Sequence, residues 1–178
     1  MVLIIDDDNA VRLSIGLALR KASIESVAVS NEADALERVR DGNISAIVLD
    51  MNLSLETTGQ QGLELLQKIR ILRPDLPVIL ITAWGTIPLA VESMNLGATD
   101  FMTKPWSNED LVRKLRKAMS AAQARRVEDA RHDTLDEMER QAIEDAMRRC
   151  DGNMTIAARQ LGITRQSLYR RLEKFGLQ

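Results

Sequence analysis

The chain has 178 residues, of which 45% are hydrophobic and 28% charged, a balance that describes a folded globular protein and excludes a disordered or fibrous one. One cysteine, Cys150, excludes an internal disulfide framework and a thiolate zinc cluster, and no run of about 20 apolar residues is present to span a membrane. The formal net charge of −2 counts against a nucleic-acid binder only where charge is evenly spread, and five aromatic side chains (two Phe, two Trp, one Tyr) offer little stacking surface for single strands.

The segment MVLIIDDD lacks a basic leader, and its apolar run stops at three carboxylates, unlike a signal peptide; with the lone cysteine this places the expected protein in the cytoplasm, with no membrane partner. Val2–Ile5 reads as a buried strand ending at Asp6, and Val11, Ile15 and Leu19 then recur at helical spacing. Val27–Val29 is a weaker strand, and Glu32–Arg40 a helix with Ala33, Leu36 and Val39 inward. Ile44–Leu49 is an apolar run ending at Asp50, followed by a polar loop and the helix Leu63–Ile69. Leu76–Ile81 ends at Thr82, Ile87–Leu96 is helical, Asp100–Met102 leads to Lys104, and Glu109–Met119 is a further helix. Five buried strands separated by helices predict an α/β fold: a doubly wound, flavodoxin-like parallel sheet covered on both faces.

In such sheets sites form at the carboxyl ends of the strands. Those ends carry Asp6, Asp7 and Asp8, then Asp50, Thr82 and Lys104. A dianionic phosphoryl group reaches a carboxylate only if a hard divalent cation lies between it and the neighbouring carboxylates. Asp6, Asp7 and Asp50, with the backbone carbonyl of Asn52, form a candidate Mg2+ site. Lys104 is placed to pair with Asp50 before phosphorylation and with phosphoryl oxygens afterwards, and the Thr82 hydroxyl to follow the new phosphate.

Residues 120–133 lose strong apolar character and read as a linker or a helical extension. Thr134-x-x-Glu137 has the pattern of a capping box opening a helix to about Cys150, with Leu135, Met138, Ala142, Ile143, Ala146 and Met147 on its apolar face. Asp151-Gly152-Asn153 breaks it. Short helices over Thr155–Leu161 and Arg165–Phe175, joined through Gly162-Ile163-Thr164, predict a small all-α helix-turn-helix domain. From Asp151 onward Arg159, Arg165, Arg170, Arg171 and Lys174 face only Asp151 and Glu173, so this end is basic while the remainder is acidic.

The segments IIDDDNAVR, IVLD, VILITAWG and FMTKP resemble the receiver domains of bacterial two-component response regulators, in particular the nitrogen-regulator class, over roughly residues 1–119. The resemblance implies a phosphoprotein in which a sensor histidine kinase phosphorylates Asp50, Asp6 and Asp7 hold magnesium, and Thr82 and Phe101 switch together. It also implies that Lys104 contacts the phosphoryl group, that Pro105 follows a cis bond, and that Asn52 and Trp84 tune the lifetime of the acyl phosphate. Self-phosphorylation from a phosphodonor, with Asp50, Thr82 and Lys104 as its catalytic residues, and autodephosphorylation are then the only chemistry expected; the protein is no enzyme with a small-molecule product. One departure is a loop after Asp50 without proline, Gly62 standing twelve positions on, four residues later than usual.

The tail GNMTIAARQLGITRQSLYRRLEKFGL resembles the Fis-type helix-turn-helix over residues 134–178. It implies transcription regulation through double-stranded DNA, bound as a homodimer: Thr164 and Arg165 at base edges or phosphate, Ser167 and Arg170 beside them, and Asn153, Arg171 and Lys174 on the backbone. The interval between the two segments is too short for the central ATPase of full-length nitrogen regulators, and no GxxxxGK[ST] loop is present. Two alternatives stay open: a receiver acting as an interaction or phosphate-sink module whose tail serves mainly for dimerisation, and a constitutively active regulator with a vestigial phosphoryl site.

Overall fold

Short apolar runs become the strands of one parallel sheet: β1 (Val2–Ile5), β2 (Ser26–Val29), β3 (Ala46–Asp50), β4 (Val78–Thr82) and β5 (Asp100–Thr103), in the order β2-β1-β3-β4-β5. The computed structural model describes residues 1–53, 59–83 and 86–177; Trp84 and positions 54–58 of the long loop lie outside them. Every residue of β1, β3 and β4 is buried, as expected of strands covered on both faces.

Alternation along these strands feeds two cores. Leu3, Ile5, Ile47, Leu49, Val78 and Leu80 pack on one face with α2 (Glu32–Arg40) and α3 (Gln60–Leu72), through Ala35, Val39, Leu63, Leu66 and Ile69. Val2, Ile4, Ala46, Val48, Ile79 and Ile81 pack on the other with Ile15 and Leu19 of α1 (Asn9–Lys21) and with Leu111 and Leu115 of α5 (Asn108–Arg149). Each fully buried aliphatic side chain contributes roughly 1.5–3 kcal/mol, so these layers hold the sheet and the strand ends beyond it. The register sets Ile5 level with Leu49, and Asp50 level with Ile81. Asp6, Asp50 and Thr82 therefore emerge at one rim. Helix α4 (Ile87–Asn95) precedes β5 and is capped by Thr86.

Two compact units, Met1–Ala124 and Arg125–Gln178, divide the chain within α5. The expected helix start at Thr134 is not found. With neither glycine nor proline between Asn108 and Arg149, nothing in the backbone ends the helix. Thr134 sits in its interior, and its hydroxyl donates to the Ala130 carbonyl instead of capping.

In the second unit α6 (Met154–Gln160) and α7 (Arg165–Phe175) pack on the end of α5 around Ile143, Ala146, Ala157, Ala158, Leu168 and Leu172. Asn153 caps α6 and Thr164 caps α7, while Gly162, at φ 66°, makes the left-handed turn between them. Of the apolar face predicted for residues 135–150, Ile143, Ala146 and Met147 join this core; Leu135 and Met138 remain 64% and 65% exposed, and Ala142 is exposed too. Among the described residues no helix is long and apolar enough to cross a membrane.

Candidate functional site

The rim of the sheet gathers the acidic residues predicted from strand ends. Asp6 and Asp50 are buried, at 2% and 4% exposure, and Asp7 is exposed. One carboxylate oxygen from each lies within 4.8 Å of the others. Lys104 Nζ donates to Asp6 Oδ2 at 3.1 Å and stands 3.2 Å from Asp50 Oδ1. That second contact is an ion pair without hydrogen-bond alignment, which leaves Asp50 Oδ1 buried with no hydrogen-bond partner.

Two buried carboxylates thus share one ammonium. Burial is the main force raising the carboxyl pKa of both, and for Asp50 the charge of Asp6 adds to it, so that Asp50 is pushed up to about 6 although Lys104 pulls the other way. Burial alone would lower the Lys104 pKa, but Asp50 and Asp6 outweigh it and raise it. Excess negative charge, hard oxygen donors and an orphaned buried oxygen fit a divalent cation.

Local structure fixes this geometry. Asp8 is the N-cap of α1, accepting from the Ala10 N–H, and its own N–H donates to Asp6 Oδ1 at 2.8 Å. Arg12, which sequence reasoning passed over, donates to the carbonyls of Asp6 at 2.7 Å and Asp7 at 2.9 Å and to Asn9 Oδ1. Its signal was position: one turn into a helix, a long side chain leans back toward the N-terminus. Asn52 uses its side-chain oxygen to accept from the Gly59 N–H at 2.9 Å, ordering the start of α3. Gly62 faces the Met51 backbone so closely that a Cβ would lie 2.4 Å from Met51 Cα.

Thr82 is fully buried at the end of β4, and its carbonyl accepts from the Lys104 N–H at 2.7 Å. Phe101, on β5, is half-buried against the core. The Lys104–Pro105 bond is cis.

In the second unit, Arg165 and Arg170 are exposed on α7 and their side chains make no hydrogen bond or ion pair among the described residues. The other predicted contacts are engaged: Asn153 and Thr164 in capping, Ser167 Oγ by Arg171, Arg171 by Glu139 and Lys174 by Asp136. Asp136 and Glu139 carried no signal in the sequence beyond their one-turn spacing.

Comparison with known families matches residues 2–116 to the response regulator receiver domain. The chain belongs to that family. Its Asp6, Asp7 and Asp50 cluster matches the receiver phosphorylation site, and a divalent-cation site is typical of such domains. Residues 134–175 match the Fis family of bacterial regulatory proteins. The receiver is thus joined to a Fis-type helix-turn-helix, with only residues 117–133 between the two matches, too few for a further domain there.

The chain is 33% identical over 125 residues to an NtrX-like response regulator of Rickettsia bellii, spanning 70% of this chain but only about a quarter (26%) of the relative. With the transcriptional regulatory protein FixJ of Azorhizobium caulinodans it shares 33% over 148 residues, covering 79% of this chain and 68% of FixJ. The crystal structure of NtrX from Brucella abortus in complex with ADP superposes with a TM-score of 0.65 at 29% identity, over 73% of this chain and 28% of that one.

Proposed function

We propose that this response regulator receives a phosphoryl group on Asp50 from a sensor histidine kinase and controls transcription by binding double-stranded DNA through α7. The observation that carries the reading is the buried Asp50 oxygen, unpartnered in hydrogen bonding and 3.2 Å from the Lys104 ammonium, beside two further carboxylates. The working domains are residues 1–119 and 134–178, with 120–133 as a helical extension, and the setting is the cytoplasm.

Asp6, Asp7 and Asp50, with the Asn52 backbone carbonyl, would hold Mg2+, which when bound neutralises charge between the carboxylates and the incoming phosphate. Asp50 supplies the nucleophile: a carboxylate oxygen forms the bond to phosphorus as the phosphorus–nitrogen bond of the phosphohistidine breaks, and the departing imidazole nitrogen takes a proton from solvent. Lys104, paired to both buried carboxylates, is positioned in advance to balance the transferred oxygens. Thr82 stands at this rim and Phe101 lies one pleat inward on the adjacent strand, level with Leu80, an arrangement that supports their role as the switch that reads the phosphate.

Arg165 and Arg170 are the side chains we assign to base edges and nearby phosphates, with Asn153, Thr164 and Ser167 around them; Arg171 and Lys174, expected on the DNA backbone, are paired instead with Glu139 and Asp136. The exposed Leu135 and Met138 support a homodimer through this part of α5. Acetyl phosphate with Mg2+ should label the wild type and not Asp50→Asn, and persistent labelling would remove Asp50 from its role. Retention of a promoter fragment should disappear in Arg165→Ala/Arg170→Ala; unchanged retention would remove those two arginines.

A further inference from the structure

Arg171 and Lys174 stand one turn apart on α7, and Asp136 and Glu139 one turn apart on α5. They meet as an antiparallel ladder: Arg171 Nε lies 2.5 Å from Glu139 Oε1, and Lys174 Nζ donates to Asp136 Oδ1 at 2.7 Å. Arg171 also donates to Ser167 Oγ, so both its neighbours on this face are polar oxygens. The oxygens of Asp136 and Glu139 satisfy the same donors, with the same charge, that phosphate oxygens of a DNA backbone would satisfy. Arg165 and Arg170 on the same helix have no such partner among the described residues.

We propose that Asp136 and Glu139 act as internal phosphate surrogates, withholding Arg171 and Lys174 from the DNA backbone and thereby holding down sequence-independent affinity. The proposal rests on reading the second unit as DNA-binding. All four side chains are at least a third exposed, so each pair is a weak, solvent-screened interaction that phosphate can replace. Backbone contacts supply most of non-specific binding, and each phosphate neutralised adds about 0.9 to the slope of log affinity against log salt. Engaging these two cations internally removes their share of that term and leaves Arg165 and Arg170 as the dominant contacts. Specific sites then stand out against bulk DNA.

The test uses the full chain and a random-sequence duplex, with fluorescence anisotropy followed across a salt series. Asp136→Asn/Glu139→Gln should bind about tenfold tighter near 0.1 M salt, with a slope steeper by one to two, roughly the share of two phosphates. Arg171→Gln/Lys174→Gln should cost twofold or less in the wild type and about tenfold in that background. Glu173→Gln, which removes one exposed carboxylate of α7 with no side-chain partner among the described residues, controls for the net charge of each of the single variants Asp136→Asn and Glu139→Gln. Tightening by Glu173→Gln equal to that of either single variant, Asp136→Asn or Glu139→Gln, or the same cost of Arg171→Gln/Lys174→Gln in both backgrounds, would overturn the proposal. The single variants Asp136→Asn and Glu139→Gln should each give part of the effect, with unchanged helical circular dichroism. Binding that is lost in Arg165→Ala/Arg170→Ala yet indifferent to Asp136 and Glu139 sinks this inference alone, whereas no binding by any form sinks the DNA-binding reading with it.

Discussion

Replacing Asp50 with asparagine should stabilise the first unit at neutral pH in the absence of divalent cations. The Asp50 carboxyl is pushed from an ordinary 3.8 to about 6 by burial and by Asp6, against the pull of Lys104. At about 1.4 kcal/mol per tenfold change in proton affinity, keeping it ionised at pH 7 costs the folded state about 3 kcal/mol. Asparagine resembles the protonated acid in shape and carries no charge. Lys104 keeps Asp6 as its partner at 3.1 Å, so most of that cost is recovered and a gain of about 1–3 kcal/mol is expected.

Because the folded pKa lies above the unfolded one, the folded state binds the proton more tightly, and wild-type stability falls as pH rises through the window from about 4 to about 6. The advantage of Asp50→Asn should therefore be small near pH 4, grow across that window, and level off above it. Both tryptophans, Trp84 and Trp106, belong to Met1–Ala124, so urea unfolding followed by tryptophan fluorescence reports that unit by itself. Saturating Mg2+ should narrow the gap by stabilising the wild type more than the variant. A variant no more stable than wild type at pH 7 in chelator, or a gap that does not change between pH 4 and 7, would refute this account of the site.

Lys104→Gln removes the ammonium shared by Asp6 and Asp50; it should slow labelling by acetyl phosphate at least tenfold and lower stability at pH 7 by about 1–3 kcal/mol, a loss moderated by the partial exposure of Lys104 and visible in the same urea assay. Gly62→Ala forces a methyl group to within 2.4 Å of Met51 Cα, a backbone atom that cannot swing aside, and should cost about 1–3 kcal/mol with the loop next to Asp50 displaced. Leu135→Glu/Met138→Glu should leave the melting temperature of the isolated protomer unchanged, because both side chains are already exposed, while sedimentation velocity shows loss of dimer.

Strand existence was legible because β1, β3 and β4 are buried on both faces and read as unbroken apolar runs; the first polar residue after each run, Asp6, Asp50 or Thr82, then marks the rim. N-caps are local too, since Asp8, Asn153 and Thr164 each act on amides two or three residues away. Local signals misled twice: Ala33, expected inward on α2, is exposed while Ala35 is buried, and Thr134-x-x-Glu137 has the pattern of a helix start, but an uninterrupted run of helix-compatible residues on both sides carries α5 straight through it.

What the sequence by itself determined is the chemistry at each strand end and the identity of two families, because those depend on residue types at fixed local spacing. Tertiary structure alone decided the strand order, the register that levels Ile5 with Leu49, and the sharing of Lys104 between Asp6 and Asp50, residues 98 and 54 positions away from it. It also decided that Arg12 latches the acidic loop and that Arg171 and Lys174 face carboxylates of α5. Parallel pairing and helix packing join segments distant along the chain, and their geometry follows from how whole faces fit together, which no short window of sequence contains.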